Sequence, residues 1–275
     1  MPFLHILLGA SMAATPVPMA PPAQAQAPSQ PRPALWVVND NDTIIYLFGT
    51  FHALDGKLNW FDRSVRTAFT ASDQLMLETL VPKPVGAPRF SGHGNLAPVK
   101  GAPASATVAE LAPSSFLATT KQVMKAGRAN GLSTDNGADA VLRDFADESG
   151  KPVAGLESFE FQINMFSSLP TPPQPDARDP RTAKALGDVL SQLQVAWSRG
   201  DIDTFAPMLR QMQVQSPQTY NTMFVERNAR WAHWIADRMK HPGTVFVAVG
   251  AGHLSGPDSV QSKLTTLGVK SARIN

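Results

Sequence analysis

The stretch TIIYLFGTFH, Thr43–His52, is a run of β-branched, apolar and aromatic residues that is interrupted by Gly49 and presents a histidine three positions later. The chain repeats this pattern near its end in TVFVAVGAGH, Thr244–His253. Short apolar runs of this kind are typical of strands that are buried on both faces of a largely parallel sheet. Ligands bind such sheets at the carboxyl ends of the strands. The two stretches therefore predict two strand–GxxH units whose glycines let the backbone leave the sheet in a conformation that other residues resist and whose histidines lie at one edge.

The remaining patterns place these units in a mixed α/β fold, with a largely parallel sheet, helices on its faces and a helical insertion between the units. Ala34–Val38 and Thr43–Phe48 flank the turn-forming residues Asn39–Asp42, which predicts a hairpin. Gln74–Thr79 and Pro152–Gly155 are further predicted strands. Helices are expected over Asp62–Ala71, Phe116–Ala129, Ala138–Ser149, Phe159–Ser168, Leu186–Trp197, Ile202–Gln213, Gln218–Lys240 and Pro257–Leu267, and an edge strand over Val269–Ile274.

Composition excludes several classes of function. The chain has 24 Lys and Arg against 22 Asp and Glu, and it contains no basic block that would follow a phosphate backbone, so we expect no nucleic acid partner. Because cysteine is absent, metal ligands would have to be His, Asp or Glu. The sequence also lacks GxSxG, GxGxxG, P-loop and HExxH motifs, which disfavours nucleophile-elbow hydrolases, dinucleotide and NTP binders, and zincins.

The N-terminus is typical of an export signal. The apolar stretch Phe3–Ala14 is followed by Ala23-Gln24-Ala25, which fits a cleavage site after Ala25. We therefore expect a signal peptide at 1–25, a disordered lead-in at 26–33 and a folded domain at 34–275, with a flexible Pro/Gly/Ala-rich stretch at 81–115. No later segment is apolar enough to span a membrane, so the mature protein is expected in the periplasm or secreted, without a stable membrane span.

His52, Glu78 and His253 are the candidate metal ligands, because each is predicted to lie at the carboxyl end of a strand. Two imidazoles and a carboxylate suit a divalent cation such as Mn, Co or Zn and leave positions open for water. The alternative is that the histidines are polar residues that bond to loop carbonyls. Both interpretations are open at this point.

Glu157 and Arg227 are further candidates for a catalytic role. Glu157 follows a predicted strand and could orient a histidine, act as a general base or complement a helix dipole. Arg227 lies on the apolar stripe of a predicted helix, where it could stabilise an oxyanion or pair structurally with a carboxylate.

Five stretches together resemble the TraB/GumN family, which is related to the Tiki proteases and more distantly to erythromycin esterase-like proteins. They are LWVVNDNDTIIYLFGTFHALDG, LMLET, GLESFEFQINMFSSLP, FVERNARWAHWI and VFVAVGAGHLSGPDSV. The resemblance covers Ala34 to Asn275. It implies that His52 and His253 are the histidines of two GxxH motifs, Glu78 the glutamate between them, and Arg227 the arginine of the ERN segment.

The resemblance also implies a function. The Tiki branch is proposed to contain metal-dependent peptidases that use these residues, which favours an exported hydrolase acting on a peptide or small-molecule substrate through metal-activated water. The alternative is a non-catalytic periplasmic binding or accessory protein in envelope or exopolysaccharide assembly, since the GumN name is associated with exopolysaccharide genes. The 81–115 stretch and the lack of a second membrane segment depart from the membrane-tethered proteases.

Overall fold

The computed structural model of the chain describes residues 31–61, 63–81, 115–170 and 179–275. The expected signal peptide, nearly all of the 81–115 stretch and Asp62, the expected start of the first helix, lie outside the described residues. None of the helices in the described ranges combines the length and apolar character that crossing a membrane requires.

Six strands form one mixed sheet. They are β1 (Leu35–Asn39), β2 (Thr43–Thr50), β3 (Gln74–Thr79), β4 (Val153–Glu157), β5 (Gly243–Gly250) and β6 (Ala272–Arg273). Their spatial order is β4-β3-β5-β2-β1-β6, in which the four strands from β4 to β2 run parallel to one another. The hairpin partner β1 and the short edge strand β6 are antiparallel to their neighbours. The predicted mixed, largely parallel α/β fold is thus confirmed.

The two strands of the GxxH units are direct neighbours. β2 pairs with β5 in parallel over its whole length, from Thr43 opposite Gly243 to Thr50 opposite Gly250. Both strands are almost entirely buried. Because β3 pairs with the other side of β5, the carboxyl ends of β2, β5 and β3 lie side by side at one edge of the sheet.

Nine α-helices accompany the strands in the described ranges. They are α1 (Ser64–Ala71), α2 (Ser115–Ala129), α3 (Ala138–Ser149), α4 (Phe159–Ser168), α5 (Pro180–Ser198), α6 (Ala206–Gln215), α7 (Pro217–Tyr220), α8 (Glu226–Arg238) and α9 (Val260–Thr266). Buried residues of α1, α3 and α5 pack on one face of the sheet with Phe48 and Phe246, while those of α8 and α9 pack on the other face with Leu47 and Val247. The indole N–H of Trp197 also donates to the carbonyl of Gly49 at 2.7 Å.

Three predicted elements differ in detail. The long helix expected over Gln218–Lys240 is α7 and α8 joined by a π-helical turn, Asn221–Val225. The helix expected over Ile202–Gln213 begins with a 3₁₀ turn, Asp203–Phe205, and the final edge strand is reduced to two residues. π-helical turns occur frequently at functional sites because they widen a helix locally.

Candidate functional site

The carboxyl ends of four parallel strands supply the polar residues of the site. His52 follows the end of β2 by two residues, and Glu78 lies one residue before the end of β3. Glu157 is the last residue of β4, and His253 lies in the 3₁₀ turn Ala251–Leu254 that follows β5. Parallel pairing therefore places at one sheet edge side chains that are distant in sequence.

Gly250, the last residue of β5, lies at the centre of this edge. Its backbone N–H donates to Glu78 Oε1 at 2.7 Å. A Cβ atom added to Gly250 would lie 3.2 Å from Glu78 Oε1, 3.3 Å from His52 Nε2 and 3.6 Å from the His253 ring. His52, Glu78 and His253 thus face one small region of space.

The prediction that the GxxH glycines adopt a conformation unfavourable to other residues is wrong. Gly250 has a φ of −53°, and Gly49 has no positive φ. β2 also continues through Gly49 to Thr50, whereas β5 ends at Gly250. Space is the physical reason for glycine here, because a Cβ at Gly49 would lie 3.2 Å from the Ala251 Cα atom, and one at Gly250 would crowd the polar side chains.

Arg227 connects the two carboxylates. It lies at the second position of α8 and is only 1% exposed. Its Nε donates to both oxygens of Glu157 at 3.0 Å, and its NH2 donates to Glu78 Oε2 at 2.8 Å and lies 2.9 Å from Glu157 Oε2. Its NH1 lies 3.3 Å from His253 Nε2. The guanidinium is therefore held by two carboxylates from neighbouring strands and also contacts a histidine.

This arrangement fixes the charges of the buried groups. Burial alone would raise the pKa of Glu78, but the Arg227 guanidinium, His253, His52 and the Gly250 N–H together hold that pKa well below its ordinary value. Burial likewise opposes the charge of Arg227, and Glu78 and Glu157 outweigh it, so the Arg227 pKa is raised. Glu78 and Arg227 are both charged at neutral pH. Arg230, which is half exposed, adds a second and longer contact of 3.3 Å to Glu157 Oε1.

His253 is a buried, neutral histidine. Burial lowers its pKa to about 3, with Arg227 and His52 adding to the shift and Glu78 opposing it. Its ring contacts the rings of Phe224 and Trp231, with centroid distances of 4.8 and 4.5 Å. Nδ1 lies 2.6 Å from Oδ1 of Asn228, whose Nδ2 donates to backbone carbonyls. Because that oxygen accepts, Nδ1 carries the ring proton and Nε2 keeps its lone pair.

His52 is the exposed member of the pair. Its Nδ1 lies 2.9 Å from Asp139 Oδ1 in the first turn of α3, and its side chain is 51% exposed. The Asp139 carboxylate raises the pKa of His52 to about 9, although partial desolvation of the ring opposes this and solvent at the exposed half of the side chain screens part of the attraction. The two histidines thus differ in burial and in preferred charge.

Comparison with known proteins identifies the family of the chain. The family model of the TraB/PrgY/gumN family matches residues 34–96 and 94–273. The chain belongs to the TraB/PrgY/gumN family. A search of the curated proteins found no significant match, and neither did a search of the solved structures. The matched ranges include all five predicted site residues, and the family resemblance seen in the sequence is confirmed.

The donor chemistry at this edge of the sheet suits a divalent cation. Imidazole nitrogen and carboxylate oxygen bind Mn, Co and Zn, and the Nδ1 atom of each histidine is engaged by a carboxylate or amide oxygen, as is usual for metal-binding histidines. As the side chains are placed, no group of three or more His, Asp or Glu in the described ranges is arranged to hold a metal ion. Arg227 contacts both Glu78 and His253. A cation at His253 Nε2 would therefore compete with the guanidinium.

Asp139, Asn228 and Arg230 contact the site residues but were not predicted from the sequence. Asn228 directly follows Arg227 in α8, so it could have been predicted as a site residue from its position beside Arg227. Asp139 lies in the first turn of a predicted helix, where the favourable interaction with the helix dipole is normally enough to explain an acidic residue. Its contact with His52 spans 87 positions, and no local pattern reports such a contact.

Proposed function

We propose that this TraB/PrgY/gumN protein is an exported, metal-dependent hydrolase that attacks a peptide or related acyl bond, and that the edge around Gly250 is its active site. The observation that carries the proposal is the convergence of His52 Nε2, Glu78 Oε1 and His253 on Gly250, beside a buried arginine. Burying several charged groups together is unfavourable for the stability of the fold, and clusters of this kind are common at functional sites.

His52, Glu78 and His253 would hold the cation, with Asp139 and Asn228 orienting the two rings. A divalent cation bound there polarises a substrate carbonyl and makes water more acidic. Glu78 is suited to the ligand role because it remains ionised, and His253 because its Nε2 keeps a lone pair.

Arg227 is the candidate for stabilising negative charge on the substrate. Its Nε and NH2 are engaged by the two carboxylates, whereas NH1 contacts the neutral His253. NH1 is thus the donor that a developing oxyanion would use. Both oxygens of Glu157 are engaged by arginines, so the contacts support Glu157 as a positioning residue for Arg227 over the general-base alternative.

The test is metal binding combined with hydrolysis. Calorimetric titration of the full chain with Zn²⁺, Mn²⁺ and Co²⁺ should show one site that is lost in the variant His52→Ala/His253→Ala and kept in His233→Ala, an exposed histidine of α8. Fluorogenic peptides and aryl esters then serve as substrates, with Glu78→Gln as the inactive variant. Absence of metal binding in the wild type overturns the metal-dependent part of the proposal.

Metal binding without hydrolysis of any substrate would instead support the accessory role in the envelope. Export has its own test, which is N-terminal sequencing of the mature chain after expression. We expect the sequence to begin at Gln26, and an intact Met1 in the recovered protein would refute the signal peptide.

A further inference from the structure

The first turn of α3 contacts His52 from outside the group of strands that form the site. Asp139 accepts or shares the proton of His52 Nδ1 at 2.9 Å, and the opposite nitrogen, Nε2, is the atom that faces Gly250. Because an imidazole is planar, holding Nδ1 fixes the direction in which Nε2 points. The orientation of His52 at the sheet edge therefore depends on a residue of α3.

Backbone contacts hold the same two segments together. The amide of Ala138 donates to the carbonyl of Phe51 at 2.9 Å, and Leu54 and Ser133 exchange two hydrogen bonds of 3.1 and 2.8 Å. These bonds lie on both sides of His52 in the sequence. The loop that carries His52 is thus fastened to the residues that precede and begin α3.

Gly137 makes this approach sterically feasible. A Cβ atom at Gly137 would collide with the carbonyl oxygen and carbon of His52, both of which are backbone atoms that cannot rotate away. The φ and ψ of Gly137, −57° and 145°, are open to any residue, so the requirement is for space and not for conformation. A side chain here would displace the His52 loop.

The topology makes this contact unexpected. α3 belongs to the connection between β3 and β4, whereas His52 follows β2, and β5 and β3 separate β2 from β4 in the sheet. The start of α3 therefore contacts a loop that follows a strand with which neither β3 nor β4 pairs. Buried Ala138, Leu142 and Ala146 fix α3 on the sheet and make it a firm support.

We infer that the start of α3 is a positioning element for His52, in which Gly137 admits the His52 backbone and Asp139 holds Nδ1 so that Nε2 faces Gly250 and Glu78. The consequence for metal binding rests on the proposed function, but the orientation of His52 does not. Asp139 touches neither the proposed metal nor a substrate, so it acts through His52.

Histidine side-chain NMR of the ¹⁵N-labelled full chain at pH 10, where the His52 ring is neutral because its pKa is about 9, tests the inference through the tautomer of the ring. The His52 signals are assigned by their loss in His52→Gln. In the wild type, Nδ1 of His52 should be protonated. In Asp139→Ala this protonation should be lost and the Nε2–H tautomer should predominate, and in Gly137→Ala the signal should shift although the carboxylate remains. Glu148→Gln, which removes an exposed carboxylate from the same helix, should leave the His52 signals unchanged.

Zn²⁺ titration of the same variants separates the two proposals. Asp139→Ala should bind Zn²⁺ about 10- to 100-fold more weakly than the wild type, the usual effect of removing a group that orients a metal ligand. If the wild type binds no Zn²⁺ but the His52 signals change as expected, the proposed function fails and the positioning role stands. If the His52 signals are the same in the wild type, Asp139→Ala and Gly137→Ala, the positioning role is refuted whatever the metal result.

Discussion

Replacing Arg227 by methionine should destabilise the protein strongly at neutral pH. The substitution leaves Glu157, whose side chain is 4% exposed, and Glu78, at 14%, without their shared cation. Removing one partner of a buried ion pair costs about 3–5 kcal/mol, because an uncompensated charge remains in the core. Arg230→Met is the matched control. It lies on the same helix and contacts the same carboxylate, but it is 47% exposed, so its loss should cost about 1 kcal/mol or less.

The loss in Arg227→Met should also depend on pH. In the wild type the pKa of Glu78 is lowered on folding, so its contribution to stability is present above the ordinary value of 4.5 and is lost as the pH falls. Without the guanidinium, burial dominates and favours the protonated acid. The difference in unfolding free energy between the wild type and Arg227→Met should therefore be larger at pH 7 than at pH 4.

Urea unfolding followed by tryptophan fluorescence at these two pH values measures both quantities. Adding Glu78→Gln and Glu157→Gln to Arg227→Met removes the carboxylates that have lost their shared cation and should recover part of the stability. A loss below about 1 kcal/mol at pH 7 would be the size expected of an exposed ion pair, and it would refute the buried-pair account. So would a loss that is equal at pH 7 and pH 4.

Three further predictions concern other residues. Gly250→Ala places a methyl group 3.2 Å from Glu78 Oε1, so it should weaken Zn²⁺ binding about tenfold or more in calorimetry, as expected when the surroundings of a metal ligand are disturbed. Trp197→Phe removes the buried indole hydrogen bond to the backbone of β2 and should cost about 1–3 kcal/mol in urea unfolding. Burial and the hydrogen bond to Asp258 raise the pKa of Tyr220 to about 12, so the wild type should lose stability between pH 10 and 12 relative to Tyr220→Phe, measured by thermal unfolding.

The sheet was predictable because its strands have strong local patterns. The turn residues Asn39–Asp42 lie between two apolar runs, and the structure pairs those runs as β1 and β2. The runs before Gly49 and Gly250 are apolar without alternation, as expected of strands covered on both faces. Each of these signals involves residues close in sequence, and sequence patterns report such contacts directly.

The reason for the glycines was not predictable, because the space available at a residue depends on side chains from elsewhere in the chain. Gly250 is crowded by Glu78 from β3 and His52 from the β2 loop, and Gly137 by the backbone of His52. The π-helical turn at Asn221–Val225 was missed for a similar reason. This turn brings Phe224 into contact with His253. The periodicity of an α-helix does not predict a π-helical turn.

Arg227 connects the stability of the fold with the chemistry proposed for the site. Thr79 pairs with Glu157 across β3 and β4, so the carboxylates of Glu78 and Glu157 belong to neighbouring strand ends and would repel each other without a cation between them. The arginine that would stabilise an oxyanion is thus also the residue that makes this strand edge stable. An activity lost in Arg227→Met is consequently no proof of a catalytic role. Arg227→Lys keeps the charge and loses the bidentate geometry. The informative comparison is therefore between the activity per folded molecule of Arg227→Lys and that of the wild type.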